Sequence, residues 1–146
     1  MRPCDKKFKM HFGYGLPYPP ELAHITKDGR HHGYDYLTPE GTPILSPVKG
    51  VLTLKTTGPK IGNMIGVKFR KVEGLRVVQY RVLLMHLSQF KTTKAIGDAV
   101  NEGDLLGLSG DTGSAAGHPH LHLQMERYDG INWRDLDPAK VLKGLE

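Results

Sequence analysis

At 146 residues, with 38% hydrophobic and 24% charged positions, the chain has room for one domain with a sizeable core. A formal charge of +5 favours anionic partners. The basic groups Lys6, Lys7, Lys9 and Lys68, Arg70, Lys71 carry no interleaved aromatic residues, so a solvated surface ranks first, attraction to anionic polymers second and nucleic acid last. The single cysteine, Cys4, excludes an internal disulfide, and Met1 to Lys7 is polar and charged, unlike a signal peptide or a membrane span.

Residues 1–30, with Pro17, Pro19 and Pro20, read as an irregular arm, either a groove wall or an ordered surface segment. Next comes Arg30-His31-His32-Gly33-Tyr34-Asp35. In a fully extended strand His31 and Asp35 would share a face about 13 Å apart at 3.3 Å per residue, too far to meet at one metal. The chain is therefore expected to turn between them, with Gly33 permitting the bend.

Leu45–Leu54, Met64–Phe69 and Val77–Leu87 are short aliphatic runs that read as strands, and His86 stands near the end of the third. Gly97 to Asp104 is similar to the hairpin of biotinyl or lipoyl carriers. Such carriers need an exposed lysine at a hairpin tip, and Lys49, in the only comparable turn, lacks a carrier signature around it. Leu105–Leu108 and Leu121–Met125 are further strand candidates, and Asp137–Lys143 is the one predicted helix, with Asp137 as N-cap and Pro138 in its first turn. The 18 glycines and 10 prolines that separate these runs favour a loop-rich β protein over a helical bundle.

The most informative segment is Gly117-His118-Pro119-His120-Leu121-His122. Residues at i and i+2 of a strand project from one face with Cα atoms roughly 6.6 Å apart. His120 and His122 can therefore bind one metal together, or one can bind it while the other handles a proton. His31 and Asp35 supply candidates for the remaining ligands, and His86 adds a further imidazole. The chain contains no His-Glu-x-x-His, so a glutamate base on a zinc-binding helix is not available.

These motifs occur in a recognisable order: His31-x-Gly33-x-Asp35, Thr38 to Leu52, Met85-His86-Leu87-Ser88, Val100 to Gly113, then His120-Leu121-His122. The series resembles the M23 zinc endopeptidases of the lysostaphin and LytM type, from about Phe12 to His122. Phe12-Gly13-Tyr14 and Gly62-Asn63-Met64-Ile65 are similar to further family segments. Three positions depart from the pattern: an extra residue in His118-Pro119, Met85 where an aromatic residue is usual, and Leu123-Gln124-Met125 in place of a Phe-Glu-aliphatic run. They bear on substrate fit rather than on the metal set.

The resemblance implies a mainly β fold, an antiparallel sheet core with long loops forming a substrate groove. It implies one domain over residues 1–146, with the arm at 1–30, the catalytic core at about 31–125 and a C-terminal segment at 126–146. It also implies one Zn2+ per chain held by His31, Asp35 and His122, with His86 and His120 as the non-ligand catalytic histidines. His32 is expected to point away from the metal and His118 to stand outside the set. The implied activity is hydrolysis of stem or cross-bridge peptides in bacterial peptidoglycan, with anionic wall polymers as electrostatic partners. A non-catalytic wall-binding or activator module is the alternative. A wall enzyme without its own export signal fits a phage lysin or a mature secreted domain.

Overall fold

The computed structural model describes residues 1–146. Ten strands form one antiparallel sheet: β1 (Met10–Phe12), β2 (Tyr34–Tyr36), β3 (Pro43–Leu45), β4 (Gly50–Gly58), β5 (Gly62–Glu73), β6 (Arg76–Phe90), β7 (Ala99–Val100), β8 (Leu105–Ser109), β9 (Leu121–Tyr128) and β10 (Trp133–Leu136). The main path runs β1-β2-β9-β6-β5-β4-β7, with β10 beside β9, and with β8 joining β3 to β6. This is the mainly β, antiparallel architecture the sequence resemblance implies.

Alternation along the long strands decides what lies on each face. Val78, Tyr80, Val82 and Leu84 of β6, Ile65, Val67 and Phe69 of β5, and Leu121, Leu123 and Met125 of β9 are buried together as the main core. Removing the side chain of Leu84 or Leu123 would cost about 2–5 kcal/mol, since neither has exposed surface to lose. The opposite face of the same strands carries Met85, Leu83, Met64, His122 and Gln124, and these border a cleft.

Two sequence expectations are corrected. Leu45–Leu54 is not one strand: β3 ends at Leu45, β4 begins at Gly50, and Ser46–Lys49 turns between them. The Ser46 hydroxyl donates to the Val48 carbonyl (2.7 Å) and its N–H to Asp104 (2.9 Å), while Pro47 has no N–H to continue a ladder. The predicted helix at Asp137–Lys143 is a single 3₁₀ turn over Pro138–Lys140. Asp137 caps it as expected, accepting from the Ala139 N–H (3.0 Å). The helix stops because Lys71 donates to the Val141 carbonyl (2.7 Å) and Tyr36 to the Leu145 carbonyl (2.6 Å), drawing Val141 and Leu145 into the core.

Candidate metal centre

β2 and β9 pair so that Asp35 lies directly opposite His122, and His31 enters from the segment just before β2. His31 Nε2 is 3.1 Å from Asp35 Oδ1 and 3.1 Å from His122 Nδ1, and His122 Nδ1 is 2.8 Å from Asp35 Oδ1. A tetrahedral zinc with bonds near 2.0 Å separates its ligand atoms by about 3.3 Å. Three donors already arranged in a triangle of nearly that size, two imidazoles and one carboxylate, suit a zinc ion with an open coordination position.

The ring of His31 is held on three sides. Its Nδ1–H donates to the Gly13 carbonyl (3.0 Å), which leaves Nε2 as the lone-pair donor facing Asp35. Phe12 stacks on the ring at 4.4 Å between centroids, and Tyr18 meets it edge-on at 5.8 Å. Gly33 has a role other than bending: a Cβ there would lie 2.3 Å from the Leu123 carbonyl oxygen and 2.8 Å from the His122 ring. Burial pushes the Asp35 carboxyl up, but hydrogen bonding and charge from His122 and His31 outweigh it and hold the group well below the usual carboxylate range.

His86 and His120 sit together beside this triangle, ring centroids 4.9 Å apart. His120 points Nε2 at Asp35 Oδ1 from 3.7 Å, and its Nδ1–H donates to the His118 carbonyl (2.7 Å). His86 reaches the cleft through a bulge. Asn63 faces Leu87 and Ile65 faces Leu84, so β6 advances three residues while β5 advances two, and His86 takes a φ of 65°. The His86 Nδ1–H donates to the Thr112 carbonyl (2.8 Å). Burial, opposed by that hydrogen bond, lowers its pKa to about 4, so the imidazole is neutral at pH 7.

Of the five histidine and aspartate positions predicted from the sequence, Asp35, His86, His120 and His122 line one cleft of about 650 Å³, and His31 is buried against Asp35 and His122. His118 stays outside it, and His32 lies on its rim, bonded to Asp28 (2.9 Å) and Asp135 (3.0 Å) rather than to the triangle. Sequence reasoning gave no role to Tyr18, Thr112 or Asp135. Thr112 lies in a motif the sequence shows, but its support of His86 depends on a contact 26 residues away. Tyr18 sits in the proline-rich arm, where no periodicity marks a face; burial and the Asp35 charge raise its pKa to about 12, so it remains a hydrogen-bond donor in the cleft.

A family model described as peptidase family M23 matches residues 29–138. The glycyl-glycine endopeptidase ALE-1 of Staphylococcus capitis is 35% identical over 93% of the chain and 34% of its own length. The peptidoglycan DD-endopeptidase ShyA of Vibrio cholerae is 31% identical over 84% of the chain and 26% of its own length. The chain thus spans about a third or less of these curated relatives. Among solved structures, the catalytic domain of lysostaphin from Staphylococcus simulans aligns with a TM-score of 0.72 at 32% identity, covering 94% of each chain.

Proposed function

Because the chain belongs to peptidase family M23, we propose that it hydrolyses peptide bonds of bacterial peptidoglycan, with one zinc ion held by His31, Asp35 and His122. The observation that carries this reading is the convergence of those three donors at one point, beside a cleft lined by Asp35, His122, His86 and His120. The chemistry a zinc ion would supply there is polarisation of a carbonyl and a fall in the pKa of water from 15.7 towards about 7.

The remaining work falls to the chain's own residues. A carbonyl only accepts, so the bonds to Thr112 and His118 place a hydrogen on Nδ1 of both His86 and His120, and in the neutral form of each ring Nε2 carries a lone pair. Either Nε2 can take the proton of an attacking water, and the imidazolium formed can give it to the leaving amine, roles worth about 10²- to 10⁴-fold each. The Tyr18 hydroxyl is an additional donor facing the cleft, suited to an oxyanion. A module that only bound the wall would have no use for two imidazoles, each tied through Nδ1–H to a backbone carbonyl, beside a metal triangle. The net +5 charge adds attraction to anionic wall polymers.

Zinc measured by elemental analysis on the sample used for a turbidity assay with Gram-negative and Gram-positive walls tests the reading. One zinc per chain and wall clearing that a chelator abolishes are expected. A protein that binds no zinc, or binds it and leaves both walls intact, would overturn it.

A further inference from the structure

At the end of the sheet far from the metal centre, aliphatic side chains stand where nothing in the chain covers them. β4 pairs with β5 no farther than Val51 with Lys68, and β9 pairs with β6 no farther than Arg127 with Tyr80. Beyond those pairs β5 and β6 pair only with each other and end as a two-stranded ribbon. At its tip Leu75 is 106% exposed, and the directly opposed Val72 and Val77 are 75% and 63% exposed. Ile131, 83% exposed, sits in the turn between β9 and β10, which the Glu73–Arg127 ion pair (3.4 Å) holds beside the ribbon.

Folding does not account for these residues. Gly74 takes a φ of 63° in the turn between β5 and β6, and the position after such a glycine accepts a polar residue as readily as leucine. Single exposed aliphatics are ordinary on a protein surface, whereas a group of them at one convex end marks a place of interaction.

The surrounding charges select the partner. Glu73 and Asp129, the acids flanking the two turns, are already paired, Glu73 with Arg127 and Asp129 with Arg134 (2.6 Å). Arg70 and Arg76 are exposed with no acidic partner, and Lys71 donates only to the Val141 carbonyl (2.7 Å). A second copy of the chain would set the same cations against one another. A hydrophilic polyanion would neutralise them and leave the aliphatic groups in water. A bilayer with anionic headgroups offers hydrocarbon to the tip and phosphates to the guanidinium groups around it.

We propose that Val72, Leu75 and Val77, with Ile131 beside them, form an interfacial anchor that docks the chain on an anionic phospholipid bilayer, Arg70 and Arg76 meeting the lipid phosphates. Val77 and His86 lie towards opposite ends of β6, about 30 Å apart at 3.3 Å per residue, so the metal cleft stays clear of the docked surface. The anchor stands independently of the peptidase reading.

Co-sedimentation of the full chain at low salt tests it, with vesicles of equal parts phosphatidylglycerol and phosphatidylcholine against vesicles of phosphatidylcholine alone. The chain should bind the anionic vesicles at least about tenfold more tightly, since each arginine near such a surface is worth about fivefold. Arg70→Gln and Arg76→Gln should each remove about that fivefold. Leu75→Ser keeps every charge and takes away no packing, so it should melt with the wild type while its affinity for the anionic vesicles falls about tenfold. A soluble glycerol-phosphate polymer should bind wild type and Leu75→Ser alike. Vesicle affinity unchanged in Leu75→Ser would reduce the attraction to net charge and overturn the anchor. A loss on the polymer as large as on vesicles would make a polyanion the partner and overturn the bilayer. No binding to anionic vesicles, or a dimer that Leu75→Ser abolishes in place of vesicle binding, would overturn the proposal, and none of these outcomes bears on wall clearing.

Discussion

Met85 and His86 are consecutive residues of β6, yet both face the cleft, because the φ of 65° at His86 turns its side chain out of the strand's alternation. Without the bulge, a residue next to Met85 would point into the core. A non-glycine residue in this conformation costs of order 1–3 kcal/mol, held here by the His86 N–H bond to Ile61 (3.0 Å) and the ring bond to Thr112. His86→Gly removes the imidazole and relaxes the backbone, whereas His86→Ala removes the imidazole and keeps the strain. Both variants should bind one zinc and lose about 10²- to 10⁴-fold in kcat, with His86→Gly melting at or above His86→Ala. Loss of zinc from both would show that His86 is a ligand.

The three converging donors behave differently. His31→Ala, Asp35→Ala or His122→Ala should lose zinc and activity together, because each removes one of the three donors proposed to hold the metal. His120→Ala should retain zinc and lose rate, as its Nε2 stands farther back at 3.7 Å from Asp35 Oδ1. Elemental analysis of the four variants separates the two groups, and zinc loss from His120→Ala would redraw the ligand set.

The pH dependence of stability has a definite sign at His86. Its folded pKa of about 4 lies below the ordinary value of 6.5, so between these values the unfolded chain binds a proton that the folded chain refuses. Stability from this group is intact above pH 6.5 and falls as pH drops towards 4, by up to roughly 3 kcal/mol. Melting temperatures of wild type and His86→Gln across pH 4–7 should show a shallower acid loss in the variant. Parallel curves would mean that His86 is not buried as neutral imidazole.

Much of this was legible in the chain itself because it is local. His120 and His122 read as a one-faced pair from spacing alone, and β5, β6 and β9 follow their aliphatic alternation. The β3–β4 break and the single-turn end of the Asp137 helix were not legible, since their causes are non-local: a β8-side carbonyl for Ser46, and Lys71 and Tyr36 for the last turn. In the sequence Gly33 reads as a bend residue, and only the packing of His122 and Leu123 against it shows that it is needed for close approach. The supports of the site, Gly13 for His31 and Thr112 for His86, lie 18 and 26 residues from what they hold, with no pattern to announce them.

Thr112 is itself clamped by glycine. A Cβ on Gly62, whose φ is +64°, would lie 2.2 Å from Thr112 Oγ1, and a Cβ on Gly113 would lie 2.3 Å from the Gly62 nitrogen. Gly62→Ala should therefore cost about 1–3 kcal/mol and displace the carbonyl that orients His86, lowering kcat while zinc content stays at one per chain. Gly74→Ala provides the contrast, because its φ is +63° but nothing lies within 4 Å of the added atom. Equal melting temperatures and equal rates for the two variants would show that the approach to Thr112 is not tight.

Removing the metal should loosen the molecule where β2 meets β9. Asp35, opposite His122 in the ladder, would keep its hydrogen-bonded neighbours but lose the ion that balances a mostly buried carboxylate. A ligand present at 1,000 times its Kd adds about 4 kcal/mol to folding, which for about 150 residues corresponds to roughly 8–16 °C in melting temperature. Chelator should lower the wild-type Tm by an amount of that order, and added zinc should restore it. The same treatment of Asp35→Ala should leave its Tm unchanged, because the ligand set is already broken. A chelator shift of equal size in Asp35→Ala would place the stabilising metal somewhere other than the triangle of His31, Asp35 and His122.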